Sequence, residues 1–311
     1  MNLAEISSVQ ASRPVFYRHE TFCPRYGWLK KIYDAVKQDG NVFLRDDANV
    51  LLGVGKNMVK SMRYWGWAFK IINEDCNSGF RKSLFNVSEF GKLIFDDKEG
   101  LDPFLEDPAT LWLLHWELLK DPASATAWWF MFNGFHKTSF TTDDIFFALK
   151  KYKDTTYPNC SVKDSSLSKD INCLIRMYFG SFKKESSLEE CIDSPFRELR
   201  IMFCDDDSKN FSFNYGKKTI LPPEIVVAAI LDYICCFAQT ASTVSVSRLL
   251  HDFNSPGLAF KLTETQISLA IEAVSRAFPA ISLAESGGIL QFIYKGVPTR
   301  LKDSIIKSYY E

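Results

Sequence analysis

Histidine and carboxylate side chains occur in two places where they could assist the cleavage of a phosphodiester bond. In the first, Arg18, His19 and Glu20 place a base, an imidazole and a carboxylate in succession, a trio that could orient water or a metal ion. The trio is not part of an H-E-x-x-H motif, because Cys23 stands where the second histidine would be. The alternative is a polar segment that fixes its neighbours through salt bridges or phosphate contacts.

The second set of such residues lies between residues 102 and 117. Its carboxylates and imidazole are ligand types that Mg²⁺ or Mn²⁺ uses when it activates water: Asp102, Glu106, Asp107, His115 and Glu117. The spacing is not diagnostic, because Asp107 precedes a proline and is expected to cap a helix, and one histidine in an apolar helix is usually packed. The catalytic candidates are therefore His19, Glu20, Asp102 and His115, and no metal ligand is assigned.

Three other patterns are better explained by structure than by chemistry. LLGVGKNMVKS at residues 51–61 resembles a phosphate-binding loop, but Val50 and Asn57 occupy positions where that loop needs Gly and Ser or Thr. Residues 205–207, three consecutive aspartates, are interpreted as a solvated turn. The eight cysteines include no C-x-x-C pair and are expected to be structural thiols.

Positive charge is concentrated in residues 25–70, although the whole chain has a net charge of -1. This window holds nine Lys or Arg against four Asp, whereas residues 76–150 hold seven basic and eleven acidic residues. A local basic excess of this kind favours contact with a polyanion.

Residues 56–72 are predicted to form a helix with two opposed faces. Its apolar side chains fall within about 80° of one another: Met58, Met62, Trp65, Phe69 and Ile72. A helix at residues 25–37 precedes it, followed by a short segment at 41–45 that could be a strand and by a brief helix that Asp46 or Asp47 can cap and that ends at Leu52. A glycine turn at residues 53–55 then leads into the helix at 56–72, which is the order of a helix-turn-helix. An ordinary surface helix with a lysine-rich solvent face is the alternative.

The predicted DNA-binding residues lie on this helix and on the first helix. Lysine and arginine would hold phosphates, Asn57 would touch a base edge, and Trp67 would pack against the DNA backbone. The full set is Arg25, Lys30, Lys31, Lys56, Asn57, Lys60, Arg63 and Trp67.

The predicted fold is mainly α with small β wings, in three parts. Residues 1–100 would form an N-terminal winged helix-turn-helix domain, residues 101–155 a helical middle layer and residues 156–311 a C-terminal winged-helix-like domain. Asp-Pro pairs predict helices at residues 108–120 and 122–135, residues 141–144 predict another capped start, and the polar stretch 152–169 predicts a loop.

The C-terminal part repeats the order of helix, helix and hairpin. A short helix is predicted at residues 246–253, a helix from the capping box of Thr263 and Gln266 to residue 277, and a hairpin at residues 281–294. Its second helix carries Glu264 and Glu272 but Arg276 as its one basic residue, which favours a protein interface or dimer contact over DNA.

Composition argues against a membrane or secreted protein. No run approaches the roughly 20 apolar residues of a membrane helix, and the start of the chain lacks a signal-peptide pattern, so we expect a cytoplasmic protein. An aromatic small-molecule pocket could be built from Trp112, Trp116, Trp128 and Trp129, but these residues are better explained as core.

Four sequence words resemble the bacterial SspB family of DNA phosphorothioation proteins, which is unrelated to the protease adaptor of the same name. They are RHETF at residues 18–22, RYGWLKK at 25–31, LGVGKNMVKSMRYW at 52–65 and DPFLEDPATLWLLHW at 102–116. The resemblance runs from about Phe16 to the C-terminal hairpin region, and the LGVGKNMV word is rather specific.

The resemblance implies a role in replacing a non-bridging phosphate oxygen of DNA with sulfur, as part of anti-phage defence. The implied partners are double-stranded DNA, a cysteine desulfurase, an ATPase and a sulfurtransferase, with a homodimer as a further possibility. It also implies DNA nicking, for which Mg²⁺ or Mn²⁺ would be the metal, but no catalytic motif carries over residue by residue. A DNA-binding adaptor or regulator without enzymatic activity is the alternative.

Overall fold

The computed structural model describes residues 13–75, 84–179, 194–204, 209–238 and 242–311. Within these ranges the chain is mainly helical and carries three small antiparallel sheets, in agreement with the predicted fold class. The aspartates at 205–207 and the cysteines at 76 and 191 lie outside the described residues.

The first part of the chain is built on two crossing helices. Its elements are α1 (Trp28–Gln38), α2 (Ala48–Leu51), α3 (Lys56–Ala68), β1 (Ile72–Glu74), β2 (Phe85–Val87) and α4 (Glu89–Phe95). The glycine turn before α3 needs Gly53, whose φ is +62°. Gly66 lets α1 and α3 approach closely, because a Cβ there would lie 2.6 Å from Ile32 Cγ2.

Three details of this part differ from the prediction. Residues 42–44 form a 3-10 turn and not a strand. Asp47 precedes α2 as predicted but makes no capping bond, because its carboxylate pairs with Arg45 at 2.8 Å. Helix α3 ends at Ala68, since Lys70 turns the backbone to a φ of +59°, and Ile72 therefore belongs to β1.

The middle part contains the most apolar helices. Its elements are α5 (Pro108–Leu119), α6 (Thr126–Asn133), β3 (Ser139–Phe140), α7 (Thr142–Thr156) and α8 (Asp164–Tyr178). Asp107 caps α5 by accepting from the backbone N–H of Ala109 at 2.8 Å, as its position before Pro108 predicts.

Of the two other helix starts predicted in this part, one is confirmed and one is wrong. The capping box of Thr141 and Asp144 opens α7 as predicted. Asp121 does not open α6, because it accepts from the Ala123 N–H at 2.8 Å and from Ser124, making a turn that delays the helix to Thr126. The predicted loop at residues 152–169 is helical at both ends, and the connection shrinks to residues 157–163.

The last part consists of helices around a three-stranded sheet. Its elements are a 3-10 turn (Pro195–Leu199), β4 (Met202–Cys204), β5 (Phe211–Phe213), α9 (Pro223–Phe237), β6 (Thr243–Ser245), α10 (Val246–His251), α11 (Pro256–Phe260), α12 (Glu264–Ser275), β7 (Ile281–Ser286), β8 (Ile289–Tyr294) and α13 (Pro298–Tyr310). The predicted capping box opens α12, and the predicted hairpin turns at Gly287 and Gly288, both with positive φ.

The sheets are all antiparallel. Strand β1 pairs with β2, with Ile72 opposite Val87. The second sheet has the order β3-β5-β4, and the third has the order β6-β8-β7, with Ile281 opposite Tyr294. The third sheet therefore joins a strand before α10 to the hairpin after α12.

One hydrophobic cluster of buried residues runs from Phe16 to Ile306. Four tryptophans that could have lined an aromatic pocket are buried within it: Trp112, Trp116, Trp128 and Trp129. They are core, as expected. Among the described residues, no helix combines the length and the apolar character needed to cross a bilayer.

Candidate functional site

His19 anchors an extended N-terminal segment, residues 13–23, which we call the arm. Its ring is fully buried, and its Nε2 lies 2.9 Å from Asp170 Oδ1 on α8. Asp170 also accepts from the Tyr17 N–H, at 3.0 Å. Burial raises the pKa of the Asp170 carboxyl, while the bond with His19 opposes that rise. The imidazole is thus enclosed and holds the arm on α8.

One face of α8 makes four separate contacts with the arm. Besides Asp170, Lys169 donates to the Tyr17 hydroxyl at 3.0 Å, and Arg176 donates to the carbonyl of Thr21. The Cys173 and Cys23 sulfurs are 3.5 Å apart. The four α8 residues are spaced by one, three and three positions, so they lie along one side of the helix: Lys169, Asp170, Cys173 and Arg176.

The arm backbone is held in a conformation that its residues adopt rarely. Tyr17, Glu20 and Thr21 have φ values of +51°, +48° and +69°. The left-handed region costs a non-glycine residue about 1–2 kcal/mol, and Thr is among the least suited to it. Strained backbone of this kind concentrates at functional sites, so the turn at Glu20 marks the arm as a segment of interest.

Helix α3 has the two faces that the sequence predicts. Met62 and Trp65 are fully buried, and the Trp65 Nε1 donates to the carbonyl of Phe22 in the arm at 2.9 Å. On the opposite side, Lys56, Asn57 and Lys60 are exposed.

The arm, α3 and the β1–β2 pair line an open surface cavity of about 500 Å³, which we call the arm cavity. Three cationic side chains line it, one from the arm and two from α3: Arg18, Lys60 and Arg63. Two carboxylates face them, with Glu20 Oε1 3.7 Å from Lys60 Nζ and Glu74 Oε1 3.8 Å from Arg63 Nη2. The cavity therefore carries one net positive charge at neutral pH.

Aromatic rings complete the arm cavity. Trp67 and Tyr64 of α3 and Phe85 of β2 line it. The guanidinium of Arg63 lies over the Phe85 ring, 5.1 Å from its centre. Trp67 is half-buried, whereas the other six tryptophans of the chain are all buried.

The predicted DNA-binding residues of α1 lie apart from this cavity. Lys30 Nζ is 2.6 Å from both Asp34 and Asp97, and these two carboxylates raise its pKa against the opposing effect of desolvation. Lys31 donates to the carbonyl of Leu52 at 3.2 Å. Arg25 lies over the rings of Phe22 and Trp28. The structure groups Lys60, Arg63 and Trp67, and it places Lys30 and Lys31 beside a different surface cavity.

Asp102 is a buried acceptor at the start of α5. Its carboxylate accepts from the backbone N–H groups of Glu106 and Asp107, at 2.8 and 3.1 Å, and from the Thr110 hydroxyl at 2.5 Å. These bonds organise the turn before α5.

His115 is enclosed in the core. Its Nδ1 lies 2.7 Å from the Tyr178 hydroxyl, and its Nε2 lies 2.9 Å from the carbonyl of Ala259. Burial lowers the pKa of the imidazole to about 4, with a further contribution from the charge of Lys261. The ring is neutral at pH 7, and both of its nitrogens already have partners.

The metal site considered for residues 102–117 is not formed. Asp102 and Asp107 are engaged by backbone N–H groups, and Glu117 pairs with Lys120 at 2.7 Å. Across the described ranges, no group of three or more His, Cys, Asp or Glu side chains is arranged to hold a metal ion.

Sequence reasoning missed the partners that lie far away in the chain. Asp170 is separated from His19 by 151 residues, and nothing local marks it. Glu74 and Phe85 could have been found, because they follow the predicted recognition helix at the place where a β wing is expected.

The chain is similar to one protein family and to solved structures. The sequence pattern of a family described as a protein of unknown function, DUF4007, matches residues 16–310. A solved structure described as a magnesium ion-bound SspB crystal structure has a TM-score of 0.89 and 33% identity, covering 98% of this chain and 90% of that one. A second, described as an SspB crystal structure, has a TM-score of 0.88 and 34% identity, covering 99% and 90%. None of the curated proteins matches the chain in sequence.

Proposed function

Because the chain belongs to the DUF4007 family and shares its fold with SspB, we propose that it is an SspB-type component of a bacterial DNA phosphorothioation system. In this role it binds duplex DNA through the exposed face of α3 and nicks one strand to admit sulfur. The sequence words resembling the phosphorothioation family, at residues 18–65 and 102–116, support this assignment.

The exposed N-terminal half of α3 is the observation that carries the DNA-binding proposal. Lys56 and Asn57 stand exposed in its first turn, where the helix dipole attracts a phosphate. Lys60 follows one turn later, and its side chain is 63% exposed. Because the other face of α3 is fixed in the core, these groups would meet DNA without rearrangement.

The test removes charge from this face. A variant with Lys56→Gln, Lys60→Gln and Arg63→Gln should bind a duplex at least about tenfold more weakly. Its log–log salt dependence should flatten by roughly 3, near 0.9 for each phosphate contact. The control carries Lys92→Gln, Lys137→Gln and Lys307→Gln, three exposed lysines outside α3. Equal affinity and salt slope in both folded variants would refute the proposed DNA surface.

Nicking is the second part of the proposal. His19, Asp102 and His115 are buried and bonded internally, and Glu20 is the one catalytic candidate that lines the arm cavity. Conversion of supercoiled plasmid to open circles with Mg²⁺ or Mn²⁺ measures the activity. A Glu20→Gln variant should lose it if this cavity is the active site, and full retention would place the chemistry elsewhere.

A non-enzymatic adaptor is the second candidate function. In this case α12 and the β7–β8 hairpin would contact a partner protein or a second copy, since Leu269, Ile289 and Val297 are exposed apolar residues there. An absence of nicking together with DNA binding at α3 would support the adaptor.

A further inference from the structure

We propose that the arm cavity binds a single nucleotide of DNA that has left the base stack. This inference rests on the proposed DNA-binding function and names a subsite within it. A duplex is too wide to enter a cavity of about 500 Å³, but this volume is within the range of sites that take a small molecule or one nucleotide. Enzymes that act on DNA commonly extrude one nucleotide into such a pocket.

The cations of the cavity are available for a phosphate. Lys60 and Arg63 lie 3.7 and 3.8 Å from their carboxylates, farther than the 2.7–2.9 Å that is typical of a charge-assisted hydrogen bond. Lys30, by contrast, is held at 2.6 Å by two carboxylates. Arg18 is exposed at the rim, on the arm. A phosphate that bound in the arm cavity would therefore displace weak contacts, whereas one that bound at Lys30 would have to displace strong ones.

The aromatic side chains of the cavity suit a base. Trp67 presents a half-buried indole, and Arg63 over Phe85 forms a second flat surface. Unstacked bases pack on indole rings and on guanidinium planes, and this stacking is tolerant of base identity.

The carboxylate of Glu20 gives the cavity a preference. A carboxylate accepts a hydrogen bond from the exocyclic amino group of cytosine, which thymine lacks. Glu20 lies in a turn where its own φ is +48°, a backbone conformation that is unfavourable for a glutamate. The contacts of the arm hold Glu20 at this position despite that cost. We therefore expect cytosine to be bound better than thymine.

Tryptophan fluorescence provides a direct readout. Because the other six tryptophans are buried, a base stacking in the cavity should quench chiefly Trp67. The probes are a 20-base-pair duplex, the same duplex with one unpaired cytosine, and the same with one unpaired thymine. Affinities are measured by anisotropy of labelled DNA, so that they remain measurable when the quench is lost.

The wild-type protein should bind the cytosine-bulged duplex about tenfold more tightly than the paired one, with quenching. Trp67→Leu should lose the quench and most of this preference for the bulged duplex over the paired one. Arg18→Gln, a change at an exposed position that does not threaten folding, should also reduce the preference. Phe147→Leu, at an exposed aromatic residue on α7, is the control and should behave as wild type.

The outcomes separate this inference from the proposed function. Equal affinity of the wild type for all three duplexes would overturn the nucleotide subsite and leave DNA binding intact. Quenching that persists in Trp67→Leu, or an equal loss of affinity for paired and bulged DNA, would also overturn it. Failure to bind any of the duplexes would overturn both proposals.

Discussion

His19 and Glu20 are adjacent in sequence and face opposite environments. The imidazole of His19 points into the core, where it meets Asp170 and the ring of Trp65. Glu20 turns outward to the arm cavity. The sequence predicted that both residues could take part in chemistry. Because His19 is buried and Glu20 is not, His19 anchors the arm and Glu20 can contact a ligand.

Asp102 is expected to stabilise the fold rather than catalyse. Asp102→Ala removes the acceptor of two backbone N–H groups and of the Thr110 hydroxyl, so the free energy of unfolding should fall by about 2–4 kcal/mol. Urea denaturation measures this, with Asp303→Ala at an exposed site as the control, expected to change it by less than about 0.5 kcal/mol. Unchanged stability combined with lost nicking would contradict this and make Asp102 a functional group.

His115 should make stability depend on pH. Its folded pKa of about 4 lies below the ordinary 6.5, so the unfolded chain takes up the proton first as the pH falls. The stabilisation is complete above about pH 6.5 and is lost between pH 6.5 and 4. At roughly 1.4 kcal/mol per pKa unit, the total is roughly 3 kcal/mol.

Urea unfolding at pH 7, 6 and 5 measures the effect of His115. The difference between the wild type and His115→Gln should shrink as the pH falls. The exposed His251 offers the matched control, and His251→Gln should follow the wild-type profile. Parallel profiles for wild type and His115→Gln would show that His115 does not titrate in this range.

At the scale of elements, α8 is the support of the arm. Asp170→Asn should release the arm, because an amide offers one acceptor oxygen where the carboxylate holds the Tyr17 N–H and His19. We expect trypsin to cleave after Arg18 about tenfold faster than in the wild type, with a loss of roughly 3 kcal/mol in stability. Asp154→Asn on α7, an exposed position, is the control. Unchanged cleavage would mean that the other α8 contacts suffice to hold the arm.

The elements that the sequence predicted best are those whose signals are local. Three of these features are present in the structure: the capping boxes at Thr141 and Thr263 and the two opposed faces of α3. Each depends on residues that are only a few positions apart in the sequence. Asp121 preceded a proline in the same way as Asp107, yet its carboxylate closed a turn instead. That choice depends on Ser124, whose carbonyl accepts from the Tyr64 hydroxyl of a distant helix.

The arm cavity could be predicted in part. Lys60, Arg63 and Trp67 follow from the helical period of α3. Glu74 and Phe85 come from strands on either side of residues 76–83, and the position of Glu20 depends on α8. Contacts between distant segments leave no periodic trace in the sequence, so the local basic excess could not separate Lys30 and Lys31, which line another cavity, from Lys60 and Arg63.

At the scale of the whole molecule, segments from both ends of the described chain pack on the middle helices. The arm pairs with α6 through the Val15 N–H and the Thr126 hydroxyl, at 2.8 Å. Near the other end, the Tyr310 hydroxyl lies 2.7 Å from that of Thr110 on α5. Lys120, just after α5, and Lys302 of α13 share the buried Asp232 of α9, at 2.7 and 3.1 Å.

This packing predicts a single cooperative unfolding transition. Since the hydrophobic cluster is continuous from Phe16 to Ile306, tryptophan fluorescence and circular dichroism should report the same urea midpoint. The tryptophans lie between residues 28 and 129, so fluorescence follows the first half of the chain and circular dichroism follows all of it. Two separate midpoints would instead support independent units at residues 1–100, 101–155 and 156–311.

The contact between Cys23 and Cys173 has a practical consequence for anyone who handles this protein. The bond with Cys173 and the charges of Arg176 and Arg25 lower the pKa of the Cys23 thiol, against the opposing effect of burial. In air, a covalent cross-link here would close a loop of about 150 residues and typically add 2–4 kcal/mol of stability. Samples kept with and without a reducing agent would then differ in melting temperature and in the freedom of the segment that carries Glu20.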